Sequence, residues 1–348
     1  MDNILARAQE VGTPLIDGEK VTFVWHGEKP PKLIADFSEW ERDPILLEQV
    51  TQTVSVCHLK FPRDAYLEYA FIDPESEMRI PDPFNSRTTP NGFGEINHFF
   101  YMPEAAPSIF TRRKRGIPKG ILSRHDLEVG ELAKGSKRAL WLYQPPTDEP
   151  VPLLLVYDGN DYLKRGKLTA IVDNMIALKR ICPIAMAMIA HHRDVRLLEY
   201  VCNEATLWLV LKQLLPITQE KLNLVNTVEI PGAFGVLGAS AGGLMAFHTA
   251  LRAPHIFGHL ISQSGAFDVE GVEFVVNDLV RYLPVPALKI WMDVGEYEFF
   301  LHSNRRMHTL LIERGYAVTY REYPGGHNYT CWRNDVWRGL ETLFKPGN

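Results

Sequence analysis

From about residue 138 onward, short apolar runs alternate with amphipathic stretches, and this alternation restricts the fold more than any other feature of the chain. The apolar runs lie at 139–143, 152–157, 184–189, 235–237, 259–262, 288–292 and 317–320. Between them, apolar residues recur at helical spacing over 168–179, 203–215, 244–252, 303–314 and 334–344. A strand that is apolar on both faces needs cover on both faces. A helical crossover after each strand supplies that cover and returns the chain to run in the same direction. The pattern therefore predicts an α/β fold with a parallel sheet between helices.

The first hundred residues follow a different pattern. Val21-Thr22-Phe23-Val24-Trp25, Thr53-Val54-Ser55-Val56-Cys57 and Tyr66-Leu67-Glu68-Tyr69-Ala70-Phe71 are rich in β-formers, with breaks such as Lys29-Pro30-Pro31 and Asp73-Pro74 between them. Short strands without a helical period predict a β-sandwich. Further on, Pro103, Pro107, Gly116, Pro118 and Gly120 surround the basic run Arg112-Arg113-Lys114-Arg115, which reads as a solvated connection. The expected organisation is a small all-β domain over 1–105, a linker over 106–120 and an α/β domain over 121–348, and 348 residues suit about two domains.

Charge and composition exclude several function classes. With 37 basic against 42 acidic residues the net charge is -5, so no basic field draws the chain to nucleic acid. No apolar stretch reaches the roughly 18 residues of a membrane span. The start, Met1-Asp2-Asn3-Ile4-Leu5-Ala6-Arg7, lacks the apolar core of a signal peptide. Cys57, Cys182, Cys202 and Cys331 are scattered, which suits reduced thiols and a cytoplasmic location. His191-His192 with Asp194 lacks the rest of a metal motif, and neither GxGxxG nor a P-loop occurs, so no metal and no cofactor are expected.

The sharpest chemical signal is Gly238-Ala239-Ser240-Ala241-Gly242, placed after a short apolar strand and opening a helix. GxSxG arises by chance about 0.1 times in a chain of this length at average residue usage, so its strand-turn-helix setting carries much of the weight. An abrupt turn of this kind lifts the serine hydroxyl above the sheet edge and aims a helix N-terminus at the reacting group. The alternative is a small-residue turn that merely packs a helix tightly on a sheet. A serine hydroxyl needs an adjacent base, and Gly325-Gly326-His327 supplies one after the last strand, in the chain order of an α/β-hydrolase triad. The acid that orients the imidazole is expected after the run 288–292, with Glu298 ranked first, Glu296 second and Asp293 third. For the oxyanion, the N–H of Ala241 and one from Gly159 or Asn160 are the candidate donors; an ordinary turn at Asp158-Gly159-Asn160 is the plainer reading.

With these residues in place, the later part of the chain resembles the enterochelin-esterase-like branch of the esterases related to carbohydrate esterase family 1. The resemblance covers about 120–345. It rests on Val156-Tyr157-Asp158-Gly159, Arg196-Leu197-Leu198-Glu199-Tyr200-Val201-Cys202-Asn203, the GxSxG turn, Phe257-Gly258-His259-Leu260-Ile261-Ser262-Gln263-Ser264-Gly265, and Gly325-Gly326-His327 with Cys331-Trp332. The early segments Asp36-Phe37-Ser38-Glu39-Trp40 and Pro81-Asp82-Pro83-Phe84-Asn85 resemble the early-set immunoglobulin-like domains that precede such esterases. The resemblance implies an α/β-hydrolase fold and a serine carboxylic-ester hydrolase acting on a small-molecule or oligosaccharide ester. It implies substrate contacts at Arg196 and Trp332, with the amino-terminal domain as a candidate homodimer surface. Two departures stand out: the branch's usual acid is an aspartate, and the chain lacks a clear arginine cluster for a polyanionic catecholate. Arg196 has a competing structural role, an ion pair with Glu199. Feruloyl or acetyl esters of plant polysaccharides, a peptidase, and a non-catalytic glycan-binding protein on the same fold are the alternatives.

Overall fold

The computed structural model describes residues 2–92, 94–129 and 137–347. The chain forms two compact units. The smaller comprises Met1–Pro107 with Gly295–Phe299 and Glu322–Cys331; the larger comprises Ser108–Val294, Phe300–Arg321 and Trp332–Asn348.

The main strands of the smaller unit are β1 (Lys20–His26), β2 (Lys32–Ala35), β3 (Val54–Lys60), β4 (Tyr66–Ile72) and β5 (Ile96–Tyr101). β1 pairs antiparallel with β3 in one sheet, and β4 lies between β2 and β5 in the other. Side chains alternate across a strand. Val21 and Phe23 of β1 accordingly share a core with Leu67, Tyr69 and Phe71 of β4 and Phe100 of β5. The Phe23 ring meets Tyr69 edge-on at 4.9 Å between centroids, the geometry that ring quadrupoles favour. The buried aromatic residues of this unit are thus packing elements. Val24, Val54 and Val56 face the other way and pack on Ala8 of a helix, Asp2–Val11. That helix was not expected from the sequence. Ten residues are marginal as an isolated helix, and this one is held by the sheet it covers.

All seven residues of β4 are buried, Glu68 among them. Glu68 accepts hydrogen bonds from Tyr66 Oη at 3.0 Å and from Asn97 Nδ2 at 2.9 Å. A buried polar group of this kind is tolerated only where such partners satisfy it.

The larger unit holds β6 (Ile121–Glu128), β7 (Lys137–Gln144), β8 (Leu153–Val156), β9 (Ala185–Ile189), β10 (Phe234–Ala239) and β11 (Phe257–Gln263), together with most of β12 (Lys289–Tyr297) and the first half of β13 (Ala317–Gly326). The sheet order is β6-β7-β9-β8-β10-β11-β12-β13. Strands β9, β8, β10, β11 and β12 run parallel, and β8, β9 and β10 are buried throughout, as their unbroken apolar text predicts. This is the α/β-hydrolase arrangement, with one correction: the sheet is mixed. β7 is antiparallel to both β6 and β9. β6 was not anticipated because only Leu127 of its eight residues is buried, so it carries no apolar run. No helix in the structure is long and apolar enough to cross a membrane among the described residues.

The stretch expected as one helix over 203–215 is built in pieces: Glu204–Leu209, a π-turn Val210–Leu214, and Leu215–Lys221. Asn203 caps its start, its Oδ1 accepting the Ala205 N–H at 2.7 Å. Just before it, Glu199 is buried against Arg138 of β7 in an ion pair whose arginine side chain is only 3% exposed. Removing one partner of a buried pair strands the other's charge. Glu199→Ala is therefore expected to cost about 3–5 kcal/mol of stability, whereas the double change Arg138→Met with Glu199→Leu should recover most of it. Thermal melts of the three proteins check this.

Candidate active site

Ser240 joins the end of β10 to the helix Ala241–Arg252 with φ 59° and ψ −127°. That combination is sparsely populated for a residue with a side chain and costs of order 1–3 kcal/mol, so its surroundings must enforce it. They do so through three hydrogen bonds and two glycines. The Ser240 N–H donates to the Gln263 carbonyl of β11 at 2.9 Å, and the Ser240 carbonyl accepts from Leu244 at 3.1 Å and Ala266 at 3.2 Å. A Cβ on Gly238 would lie 2.0 Å from the Gly242 carbonyl oxygen, and one on Gly242 would lie 2.9 Å from Asp158 Oδ2. Strand β10 and the helix approach too closely for a side chain at Gly238, and one at Gly242 would press on the Asp158 carboxylate, which is the small-residue spacing GxSxG encodes.

The neighbouring strand ends in the second candidate element. β8 pairs with β10 in parallel, Val156 opposite Leu237, and the Tyr157 N–H donates to the Leu237 carbonyl at 2.9 Å. The loops after both strands therefore emerge at the same edge, where α/β sheets bind ligands. Asp158 follows in the left-handed region with φ 55°, and the helix Gly159–Lys164 begins. The N–H groups of Gly159, Asn160 and Ala241 all fall in first helical turns, where no carbonyl lies one turn back to receive them. A Cβ on Gly159 would meet the Met188 carbonyl carbon at 2.4 Å, so this loop too is glycine by necessity. Asn160 Oδ1 accepts the Trp141 indole N–H at 2.8 Å, anchoring its side chain on β7.

Arg196 binds this loop. Its Nε donates to Asp158 Oδ1 at 2.7 Å, its Nη2 donates to Asp158 Oδ2 at 2.5 Å, and Nη2 also reaches the Ala239 carbonyl at 3.3 Å. The ion pair anticipated between Arg196 and Glu199 is not formed; each has another partner, Asp158 and Arg138 respectively. A two-pronged guanidinium–carboxylate contact is geometrically rigid, and here it ties the turn at Asp158 to the last residue before Ser240.

The three candidate carboxylates have separate fates. Asp293, the third-ranked, is fully buried in β12; it receives Gln263 Nε2 at 3.1 Å and the Trp291 indole N–H at 2.8 Å. Glu296 is exposed on the same strand. Glu298 is the one that meets the histidine: its Oε2 contacts His327 Nδ1, and its Oε1 accepts the Gly295 N–H at 2.8 Å. The Glu298 side chain is 0% exposed and that of His327 18%. The Phe299 ring lies 5.1 Å from the imidazole. This pair belongs to the smaller unit, because Gly295–Phe299 and Glu322–Cys331 cluster there, while Ser240 belongs to the larger.

Trp332, expected on the substrate side, is buried, and its indole N–H donates to Ser264 Oγ at 2.9 Å. Sequence reasoning also passed over Gln263, which links Ser240, Tyr162 Oη at 3.0 Å and Asp293 in one buried network. Its signal was a glutamine and an aspartate at the ends of adjacent apolar strands, where a buried polar side chain needs a partner. Cys331 is buried near Asp36 and Glu68, and burial first, then those carboxyls, holds its thiol well above the usual range. It remains a neutral packing residue.

The chain matches the Esterase family model, described as "Putative esterase", over residues 133–343. It is 29% identical over 292 residues to the iron(III) enterobactin esterase of Dickeya dadantii (strain 3937), covering 76% of this chain and 65% of that protein. It is 26% identical over 281 residues to the iron(III) enterobactin esterase of Escherichia coli (strain K12), covering 77% and 68%. Among solved structures, the ferric enterobactin esterase from Salmonella typhimurium aligns with a TM-score of 0.79 at 21% identity, over 96% of each chain. The chain thus spans about two thirds of the length of these curated relatives.

Gly238→Ala places a methyl group 2.0 Å from a backbone oxygen that cannot move without unwinding the first turn of Ala241–Arg252. A loss of about 1–3 kcal/mol is expected from such overpacking, read as a lowered thermal midpoint. A midpoint equal to that of the unmodified chain would show that strand and helix are not held this tightly.

Proposed function

The chain belongs to the Esterase family, and on that premise we propose that it hydrolyses carboxylic esters through an acyl-enzyme formed on Ser240. The single observation that carries the reading is the backbone of Ser240, held at φ 59° and ψ −127° between Gly238, which admits no Cβ, and Gly242, where a Cβ would press on Asp158. Strain of that kind at a serine has a use in presenting its hydroxyl to a substrate.

In the proposed mechanism His327 is the general base and Glu298 its orienting carboxylate. With Nδ1 turned to Glu298, the neutral ring carries its basic lone pair on Nε2. Nε2 takes the Ser240 proton as Oγ bonds to the ester carbonyl carbon, and the carbonyl electron pair moves onto oxygen. The resulting oxyanion is stabilised by backbone N–H groups from Ala241 and from Gly159 or Asn160. Collapse breaks the bond to the alcohol oxygen, which leaves with the proton from the imidazolium. Water then repeats the sequence on the acyl-enzyme and releases the acid. No metal or cofactor takes part in this scheme. Arg196 acts in it by fixing Asp158, and Trp332 by packing against Ser264.

For the substrate, we propose a small-molecule ester of the catecholate-siderophore class, by analogy with the names of the relatives. The likeness runs through both units, which supports that class over polysaccharide esters. The scattered cysteines suit a cytoplasmic setting for such an enzyme.

Three measurements test the proposal. Ser240→Ala is expected to lower turnover of a short p-nitrophenyl ester by about 10³-fold or more and to abolish labelling by a fluorophosphonate. Undiminished turnover in that variant would overturn the reading. Glu298→Gln is expected to lower kcat by about 10⁴-fold, as loss of a triad carboxylate does, while Glu296→Gln stays within about twofold, as exposed positions do. Hydrolysis rates compared across a ferric catecholate ester, methyl ferulate and acetylated xylan should favour the first.

A further inference from the structure

We propose that Asp36, in the amino-terminal sandwich, is a positioning residue for His327, acting through the two residues that flank the histidine. The inference rests on the proposed role of His327 as base.

Asp36 opens a single helical turn, Asp36–Ser38, directly after β2, and is 4% exposed. Its Oδ2 accepts the Glu68 N–H of β4 at 2.8 Å and the Asn328 Nδ2 at 3.3 Å. On the other flank, a Cβ built on Gly326 would fall 2.0 Å from Asp36 Cγ and 2.2 and 2.4 Å from its two oxygens. The carboxyl group therefore lies flat against the Gly326 backbone, in space that any side chain there would occupy. Asn328 passes the restraint on: its Oδ1 accepts the Cys331 N–H at 3.0 Å and caps the helix Tyr329–Leu343. The loop is held once more where Gly325 pairs with Tyr66 of β4. His327 thus sits between two residues that one buried carboxyl group touches, all within the smaller unit.

A base must be held to within about 0.5 Å of its working geometry, and small displacements cost rate steeply. The glycines around His327 remove the side chains that would stiffen the loop, so the restraint has to come from outside it. Asp36 supplies it. Burial first, and then the neighbouring Glu68 with a contribution from Glu298, raise its carboxyl well above the ordinary aspartate range, against opposing bonds from the Glu68 N–H and Trp40. The titratable groups around it are Glu68 and Tyr66 on β4, Glu298 after β12, Cys331 on the final helix and His327 itself.

The test compares full-length Asp36→Ala, Asp36→Asn, Gly326→Ala and the Asp36→Ala/Gly326→Ala double variant with the parent chain on a p-nitrophenyl ester. Asp36→Ala is expected to lower kcat about 10- to 100-fold with KM within about threefold, the signature of misplaced chemistry rather than lost binding. Asp36→Asn keeps the acceptor for Glu68 and Asn328, so it should restore kcat to near the parent value and leave the ascending limb of the pH–rate profile in place. Gly326→Ala should be impaired, and the double variant should be no worse than the worse single, because the added methyl then has room. Parental kcat in Asp36→Ala, an Asp36→Asn as impaired as Asp36→Ala, or multiplicative losses in the double variant would each overturn the proposal. If Asp36→Ala does not fold, Asp36→Asn and Gly326→Ala decide alone, the first active and the second impaired. His327→Ala separates the two levels: full activity there sinks the serine–histidine reading itself, whereas an inactive His327→Ala beside a fully active Asp36→Ala sinks only the role of Asp36.

Discussion

The close approach of β10 to the helix Ala241–Arg252 is the constraint on which the candidate site depends. Gly238 leaves no space for a Cβ against the Gly242 backbone, and Ser240 is driven into a conformation it would not choose in isolation. The cost, of order 1–3 kcal/mol, is offset by backbone bonds to Gln263 and from Leu244 and Ala266. Gln263 is held in turn by Asp293 and Tyr162, both buried. A strained turn bonded to the buried Gln263–Asp293–Tyr162 network cannot relax by small movements without leaving one of those groups unpaired.

The charged residues around this network are sorted by their partners. Asp293, Glu296 and Glu298 lie within six residues of one another on one segment, yet one is buried beside Gln263 of β11, one is exposed and one contacts His327. Arg196 and Glu199, three residues apart, pair with Asp158 and Arg138 instead of with each other. Such choices follow from which strand each loop returns to. Arg196 lies beside the end of β8, and Glu199 beside β7. Asp36 extends the same logic, its proposed role depending on the return of the histidine loop to β4.

Much of this was legible in the sequence because it is local. The apolar runs mark β8, β9 and β10 to within a few residues, since strands buried on both faces leave no polar positions to confuse the reading. The helix Asp2–Val11 and β6 were not legible. The first is stabilised by a sheet it packs against, and the second by hydrogen bonding to β7 with little burial of its own. Trp332 reads as an aromatic beside a functional loop, and only packing shows its indole bound to Ser264. The Pro- and Gly-marked stretch suggests one cut through the chain, whereas Gly295–Phe299 and Glu322–Cys331 rejoin the first compact unit from far along the sequence.

By itself the sequence determined the alternation of strands and helices, the tight turn at Ser240 and the glycine-flanked His327. Each of these is a matter of side-chain size and period over a few residues, and needs no distant partner. Only the tertiary structure decided that Glu298 meets the imidazole, that Arg196 holds Asp158, and that Asp36 lies against Gly326. Those are pairings between residues 29, 38 and 290 positions apart. A carboxylate is the same text wherever it stands; its partner is set by the burial and backbone geometry that bring two loops together.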